Sequence, residues 1–304
     1  MDNFIMIAVC ITTGFLLRKY NVVPAGSHKG INVWLLYLAL PAVSLRYIPK
    51  IEWSVQMLFP MASTIIVWIG SWFFIRYYAN YRHYGQRTRS SLELASGYSN
   101  TSFLGFPLII AYFGEQYLSI AVICDQVLFI LLSTAGIVAA IKGDRSSGGN
   151  VEIKMILKKL ITFPPFIGCM SALILPNFID LAPAESFLSK LTATIAPLAL
   201  FTVGLQLNFN GWKKQLPQIS MSSFYKLIIA PILVLVIALI IGIKGKVAAI
   251  SVFEASMPTF ITASVVAEQF NLNSKLINLI VGIGILISFV STGIWVLVIN
   301  QILF

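Results

Sequence analysis

Residues 91–114 read SLELASGYSNTSFLGFPLIIAYFG, and the interpretation of the whole chain depends on this stretch. It is long and apolar enough to cross a bilayer, for which about 20 residues are needed. Its middle is poorly suited to a continuous helix, because glycine, proline and small polar residues are concentrated between Gly97 and Pro107. Unpaired backbone groups are tolerated inside a membrane only where protein or a water-filled cavity covers them. The stretch therefore predicts a helix broken in mid-membrane, the arrangement with which secondary transporters build binding sites.

The composition indicates a membrane protein. Hydrophobic residues make up 58% of the 304 residues and charged residues only 11%, whereas soluble domains have about 25% charged residues. The formal net charge of +10 comes from basic residues that cluster in short loops, so we expect a lipid bilayer and no nucleic acid as the partner. The three cysteines lie inside apolar segments and indicate neither a disulfide framework nor a metal site.

Ten apolar segments predict an all-α polytopic membrane protein with ten transmembrane helices. The predicted spans are 3–17, 30–47, 55–78, 91–114, 116–141, 155–175, 186–207, 222–243, 247–270 and 276–302. If the N-terminus is outside, sixteen of the 21 Lys and Arg residues lie on the inner side and five on the outer side. This asymmetry predicts a multi-pass protein of the cytoplasmic membrane with both termini outside.

An internal repeat relates the two halves of the chain. LALPAVSL (38–45) and TIAPLALF (194–201) place prolines 156 residues apart, and Ala95-Ser96 and Ala255-Ser256 lie 160 residues apart. Because five is an odd number, a duplicated five-helix unit would enter the membrane from the opposite face and give an inverted repeat. We therefore predict a first repeat over 1–142, a central cytoplasmic loop over 143–153 and a second repeat over 154–304. The broken crossover helices would be the fourth and the ninth.

Two strings resemble the crossover helices of the auxin efflux carrier family. They are NTSFLGFPL (100–108) and MPT (257–259) followed by VVAEQF (265–270). The resemblance extends over essentially the whole chain, and the short central loop is similar to that of the bacterial permeases. It implies a scaffold domain and a transport domain, elevator-like alternating access, and small organic anions as substrates; homodimers are plausible for the family. Members often carry Asn a few residues after the ninth-span proline, where this chain has Thr262.

The predicted substrate site lies where the two broken helices meet. The N-termini of half-helices carry partial positive charge, which suits a carboxylate, and Asn100 can both donate and accept hydrogen bonds. We expect Pro107 and Pro258 to cause the breaks. A purely local role in capping is the alternative for Asn100, Thr101 and Ser102. The full predicted set is Asn100, Thr101, Ser102, Gly105, Pro107, Pro258, Thr259 and Thr262.

Two acidic residues lie deep in predicted spans. Asp125 is about 15 Å and Glu254 about 12 Å from the ends of their helices, at 1.5 Å per residue. Ionisable groups in mid-membrane are costly and often functional, so we predict that these two couple transport to H⁺ or Na⁺. The alternative is a protonated or paired carboxyl that ties helices together. Lys226 is expected to extend to the inner surface; the alternative is contact with an anionic substrate, for which it is the one suitable cation.

Other functional classes have weaker support. The sequence contains no HExxH, GxSxG or phosphate-loop motif, and both histidines fall in predicted loops, so we predict no enzymatic activity and no organic cofactor. An ion or solute channel without gradient coupling is the alternative function. A channel would favour a continuous polar stripe along several spans, whereas the polar residues here are concentrated at mid-depth.

Overall fold

The computed structural model describes residues 2–24, 26–51, 53–144, 154, 161–207 and 211–304, and within these ranges the chain is helical. Most of the predicted central loop 143–153 and residues 155–160 of the predicted sixth span lie outside them. The helices are α1 (Asp2–Lys19), α2 (Ser27–Lys50), α3 (Val55–Tyr81), α4 (Gln86–Gly97), α5 (Thr101–Tyr112), α6 (Glu115–Gly143), α7 (Pro164–Ile174), α8 (Ala182–Gln206), α9 (Trp212–Ile241), α10 (Gly245–Ala255), α11 (Thr262–Gln269) and α12 (Ser274–Ile302).

Six of the helices in these ranges are long and apolar enough to cross a membrane: α2, α3, α6, α8, α9 and α12. Their outward faces carry large apolar side chains, for example Val290, which is 68% exposed on α12, and Phe73 on α3. Exposed apolar surface of this extent is unfavourable in water and suits contact with lipid. The protein is therefore an all-helical, multi-pass membrane protein.

Three of the helices accommodate an internal proline without breaking. A proline lacks the backbone N–H and clashes with the carbonyl of the residue four positions before it, and a widened π-helical turn relieves both problems. Such turns directly precede three prolines: Leu35–Ala39 before Pro41, Thr101–Gly105 before Pro107, and Tyr225–Ile229 before Pro231. The prediction that Pro107 causes a break is therefore wrong, because α5 continues through it.

The helices pack as two groups, and α5 and α6 contact both. The first group contains α1, α2, α7 and α8; the second contains α3, α4, α6 and α9 to α12. In the first group α1 and α8 approach so closely that a methyl group on Gly14 would collide with the backbone of α8, and one on Gly204 with that of α1. Small residues at such contacts are typical of helix packing in membranes.

An ion-pair cluster connects the two groups at one end of the molecule. Arg46 of α2 binds Glu115 of α6 at 2.7 Å and Glu185 of α8 at 3.1 Å. The hydroxyl of Tyr47 also donates a hydrogen bond to Glu115, at 2.6 Å. Glu115 belongs to the second group, so this contact must break if the groups slide past each other.

Candidate functional site

The two broken helices meet through their backbones. The first break separates α4 from α5 at residues 98–100, and the second separates α10 from α11 at 256–261. Ser99 and Thr259 form an antiparallel bridge, in which the Asn100 N–H donates to the Pro258 carbonyl at 2.8 Å and the Phe260 N–H to the Tyr98 carbonyl at 2.9 Å. Each break thus pairs backbone groups exposed by the other, as a buried membrane site requires. Both interruptions expected from the sequence are present, and they touch.

Side chains complete the pairing at the crossing. The hydroxyl of Thr259 donates to the carbonyl of Ala95, which is freed near the end of α4, at 2.7 Å. Asn100 caps the start of α5, because its Oδ1 accepts a hydrogen bond from the Leu104 N–H at 3.2 Å. The Asn100 amide nitrogen is fully buried and has no partner among the described residues. Asn100 therefore serves as a cap and still offers a donor to a ligand.

Both predicted coupling residues lie at the crossing. The hydroxyl of Thr101 donates to Oδ1 of Asp125 at 2.5 Å. Oδ2 of Asp125 and both carboxyl oxygens of Glu254 are buried with no hydrogen-bond partner within the described part of the chain. Buried polar atoms are rarely left unpaired in folded proteins, and each exception needs an explanation. A proton or cation bound among these oxygens would supply the missing partner.

Lys226 lies at the crossing and not at the inner surface, where it was expected. Instead of reaching the inner surface it is 1% exposed, and its ammonium group donates a hydrogen bond to Ser99 at the first break, at 2.5 Å. The signal in the sequence was the spacing of two serines before the lysine. Ser222 and Ser223 precede Lys226 by four and three residues, so each of them lies next to Lys226 on the helix surface. Ser222 also contacts the first broken helix, with its oxygen 2.8 Å from that of Ser96.

The charges at the crossing do not balance. Glu254 interacts electrostatically with both Asp125 and Lys226. When all three side chains are ionised, one negative charge is in excess in a site from which water is largely excluded. Since burying an uncompensated charge is costly, one bound monovalent cation or one proton would make the site neutral.

A small cavity of about 10 Å³ lies beside these groups. This volume is close to the minimum that holds one water molecule, so it also suits a single small ion. Five of its lining side chains carry oxygen atoms, the ligand type that hard cations prefer. They are Ser63, Thr64, Ser99, Thr101 and Glu254.

The other predicted site residues contribute unequally. Gly105 allows the Glu254 carboxyl to lie against α5, because a methyl group at Gly105 would be 2.7 Å from Oε2. Ser102 is buried, and its hydroxyl interacts with the Asp125 carboxyl without forming a hydrogen bond of good geometry. Pro258 contributes its carbonyl to the bridge. Pro107 and Thr262 lie farther along α5 and at the start of α11, and their side chains make no hydrogen bond to any described residue.

Comparison with known proteins finds relatives that are named as transporters or carriers. Residues 1–296 match the model of a protein family described as "membrane transport protein". An uncharacterized transporter from Methanocaldococcus jannaschii is 25% identical over 97% of each chain. A Rhizobium meliloti protein, provisionally named a malonate transporter, is 23% identical over 86% of this chain and 83% of its own. A rice protein, provisionally named auxin efflux carrier component 9, is 26% identical over 51% of this chain and 39% of its own.

Proposed function

Since the chain belongs to the membrane transport protein family, the family of the auxin efflux carriers, we propose that it is a secondary active transporter of a small organic anion. The observation that carries this proposal is the antiparallel crossing of two broken helices, with unpaired donors and acceptors buried around it. Broken helices that meet in this way are the usual means by which secondary transporters bind a charged solute and a coupling ion.

The proposed architecture has ten spans in two inverted repeats of five. Six spans are the long helices, and two are the broken pairs α4/α5 and α10/α11. The remaining two are α1 and the segment that ends with α7. The repeats would cover 1–142 and 154–304, and the excess of Lys and Arg on one side would place both termini outside the cytoplasmic membrane.

The anion would bind beside the first break. The amide nitrogen of Asn100 offers an unused donor, and Lys226 supplies a buried positive charge that is already oriented by Ser99. The start of α5 adds the partial positive charge of a helix N-terminus. The present cavity is too small for an organic anion, so binding requires the helices around the crossing to move apart during elevator-like alternating access.

The coupling cation would bind among the oxygens of Glu254, Asp125 and Thr101. Their excess negative charge and the ion-sized cavity fit one Na⁺ or one H⁺. Neutralising the site in this way lowers the cost of carrying it through the membrane interior. The gradient of that cation would then drive movement of the anion.

Reconstituted protein provides the test. Uptake of labelled malonate and other mono- and dicarboxylates is measured in proteoliposomes under imposed Na⁺ or pH gradients. A carrier gives saturable uptake that rises when unlabelled substrate is loaded on the opposite side. Uptake that neither saturates nor responds to the opposite side would indicate a channel, and no uptake of any carboxylate by correctly reconstituted protein would refute an organic-anion transporter.

A matched pair of variants tests the site itself. Asn100→Ala removes the cap of α5 and the unused donor, whereas Asn273→Ala removes a side-chain cap with nearly the same backbone angles from α12, away from the crossing. Each loses about 1 kcal/mol of stability, but only Asn100→Ala is expected to reduce transport. Equal transport by the two variants would remove Asn100 from the binding site.

A further inference from the structure

A second and larger cavity forms a slot between α3, α4 and the C-terminal half of α6. Its volume is about 230 Å³. α4 packs against α3 on one side and against α6 on the other, so α4 forms the back wall of the slot. The lining residues of α6, among them Ala135 and Ala139, are small and only half-buried. The slot is therefore open towards the membrane as well as towards the helix ends.

The lining of this slot changes from charged to apolar along the helices. Arg76 and Lys142 lie at the end near the basic loops, whereas Trp68 and Ala135 lie deeper in the membrane. At 1.5 Å per residue, Arg76 is separated from Trp68 by about 12 Å and Lys142 from Ala135 by about 10 Å. A cationic end followed by an apolar wall matches an amphiphile with an anionic head.

The charged end of the slot has an excess of positive charge. Glu93 is held by Arg76 at 3.2 Å and by Arg89 at 3.4 Å. The guanidinium of Arg76 stacks on the ring of Trp72 at 3.9 Å, which fixes its position. Lys142 is exposed and forms no ion pair with a described residue. Arg76 and Lys142 line the slot, and Arg89 pairs with Glu93 from outside its lining. Three cations against one carboxylate leave a net charge of +2 near this end of the slot.

We propose that this slot binds one anionic phospholipid from the leaflet that faces the basic loops. The phosphate lies between Arg76 and Lys142, and one acyl chain lies along Trp68, Ala135 and Ala139. Basic pockets between transmembrane helices at this face suit anionic lipid headgroups. A short soluble anion would use the charged end and leave the apolar wall uncovered, so the shape of the slot favours the lipid. The deep end of the slot reaches the crossing at Tyr98, whose carbonyl accepts the hydrogen bond from Phe260. The proposed headgroup site at Arg76 and Lys142 uses none of the groups proposed to bind the transported anion.

Delipidated protein in detergent allows the test. Phosphatidylglycerol, phosphatidylcholine, glycerol 3-phosphate and malonate are titrated separately, with melting temperature and native mass spectrometry as readouts. We expect saturable binding of one phosphatidylglycerol and none of comparable strength for the other three probes. Phosphatidylglycerol with brominated acyl chains should also quench tryptophan fluorescence, and Trp72→Phe should reduce the quenched fraction.

Substitutions at Lys142 and Ala139, with a control at Lys213, locate the site. Lys142→Gln should weaken phosphatidylglycerol binding about fivefold, which corresponds to about 1 kcal/mol per basic residue near the membrane surface. Ala139→Trp fills the apolar part of the slot and should weaken phosphatidylglycerol binding further. If tryptophan at this position disturbs folding, Ala139→Leu is used in place of Ala139→Trp. Lys213→Gln, at an exposed lysine beside Trp212 on α9, serves as the matched control and should leave binding unchanged.

Each result that would contradict the lipid site has its own interpretation. Equal binding of phosphatidylcholine, or equal losses in Lys142→Gln and Lys213→Gln, would refute a specific anionic-lipid site. Equal binding of glycerol 3-phosphate would show a site for a soluble phosphate only. Displacement of phosphatidylglycerol by malonate would show that the slot belongs to the path of the soluble anion, which also overturns the proposal.

Discussion

Gly105→Ala offers the sharpest test of the crossing, because it adds one methyl group next to the proposed cation site. That methyl group would lie 2.7 Å from Oε2 and 2.9 Å from Oε1 of Glu254. The backbone at Gly105 is helical, with φ −60° and ψ −53°, so alanine fits the chain itself. The collision is therefore confined to the carboxyl group.

The geometry sets the size of the effect. An ordinary contact begins at 3.4 Å, so the nearer carboxyl oxygen must move by about 0.7 Å, beyond the roughly 0.5 Å tolerance of an organised site. Overpacking lowers the free energy of unfolding by about 1–3 kcal/mol, whereas alanine in place of glycine within a helix raises it by about 0.5–1 kcal/mol. We expect a loss of about 1 kcal/mol in stability, and a loss on the order of tenfold in affinity for the coupling cation, equivalent to 1.4 kcal/mol.

The assay measures carboxylate uptake in proteoliposomes as a function of Na⁺ concentration and pH, together with the melting temperature in detergent. Gly284→Ala is the matched control, since its methyl group would lie 3.5 Å from Pro258 without a collision. The control should keep its cation dependence and be slightly stabilised. If Gly105→Ala shows the same cation dependence as the control, Glu254 does not bind the coupling ion.

Three further variants probe neighbouring contacts. Thr101→Val removes the hydroxyl that donates to Asp125, and leaving this buried carboxyl without a donor costs about 1–3 kcal/mol of stability. We expect uptake assays to show an altered affinity for the coupling cation. An unchanged cation affinity would exclude Thr101 and Asp125 from coupling. Lys226→Met removes the buried cation, so thermal-shift titration should show at least about tenfold weaker malonate binding, and equal binding would show that the anion does not contact Lys226. Glu115→Gln removes an ion pair of Arg46 at a carboxylate whose side chain is 53% exposed, so stability should fall by less than about 1 kcal/mol. Because salt screens exposed charges, this last difference should shrink in concentrated NaCl, and persistence at high salt would argue against an electrostatic origin.

The sequence indicated where the helices are interrupted better than it indicated why. Gly97 to Pro107 marked the correct region, but the break lies at residues 98–100 and Pro107 is accommodated by a widened turn. The break is held by Pro258 and Thr259 from the distant second half. Local propensities contain no information about such a long-range pairing.

The same limit explains the error at Lys226. A lysine in an apolar helix is normally expected to extend to the nearest surface, and position along the chain supports that expectation. Its actual partner, Ser99, is 127 residues away in sequence. By contrast, Asp125 and Glu254 were identified correctly as buried, because each lies deep within a single apolar span and needs no knowledge of its neighbours.

The antiparallel bridge between the two broken helices consists of main-chain atoms, and this has an evolutionary consequence. Its hydrogen bonds use the N–H groups of residues 100 and 260 and the carbonyls of residues 98 and 258. Proline is the one amino acid whose backbone cannot donate at residues 100 and 260, so other replacements at these two positions keep both backbone hydrogen bonds. Homologous carriers could thus change cargo by exchanging the surrounding side chains while inheriting the same mechanical framework.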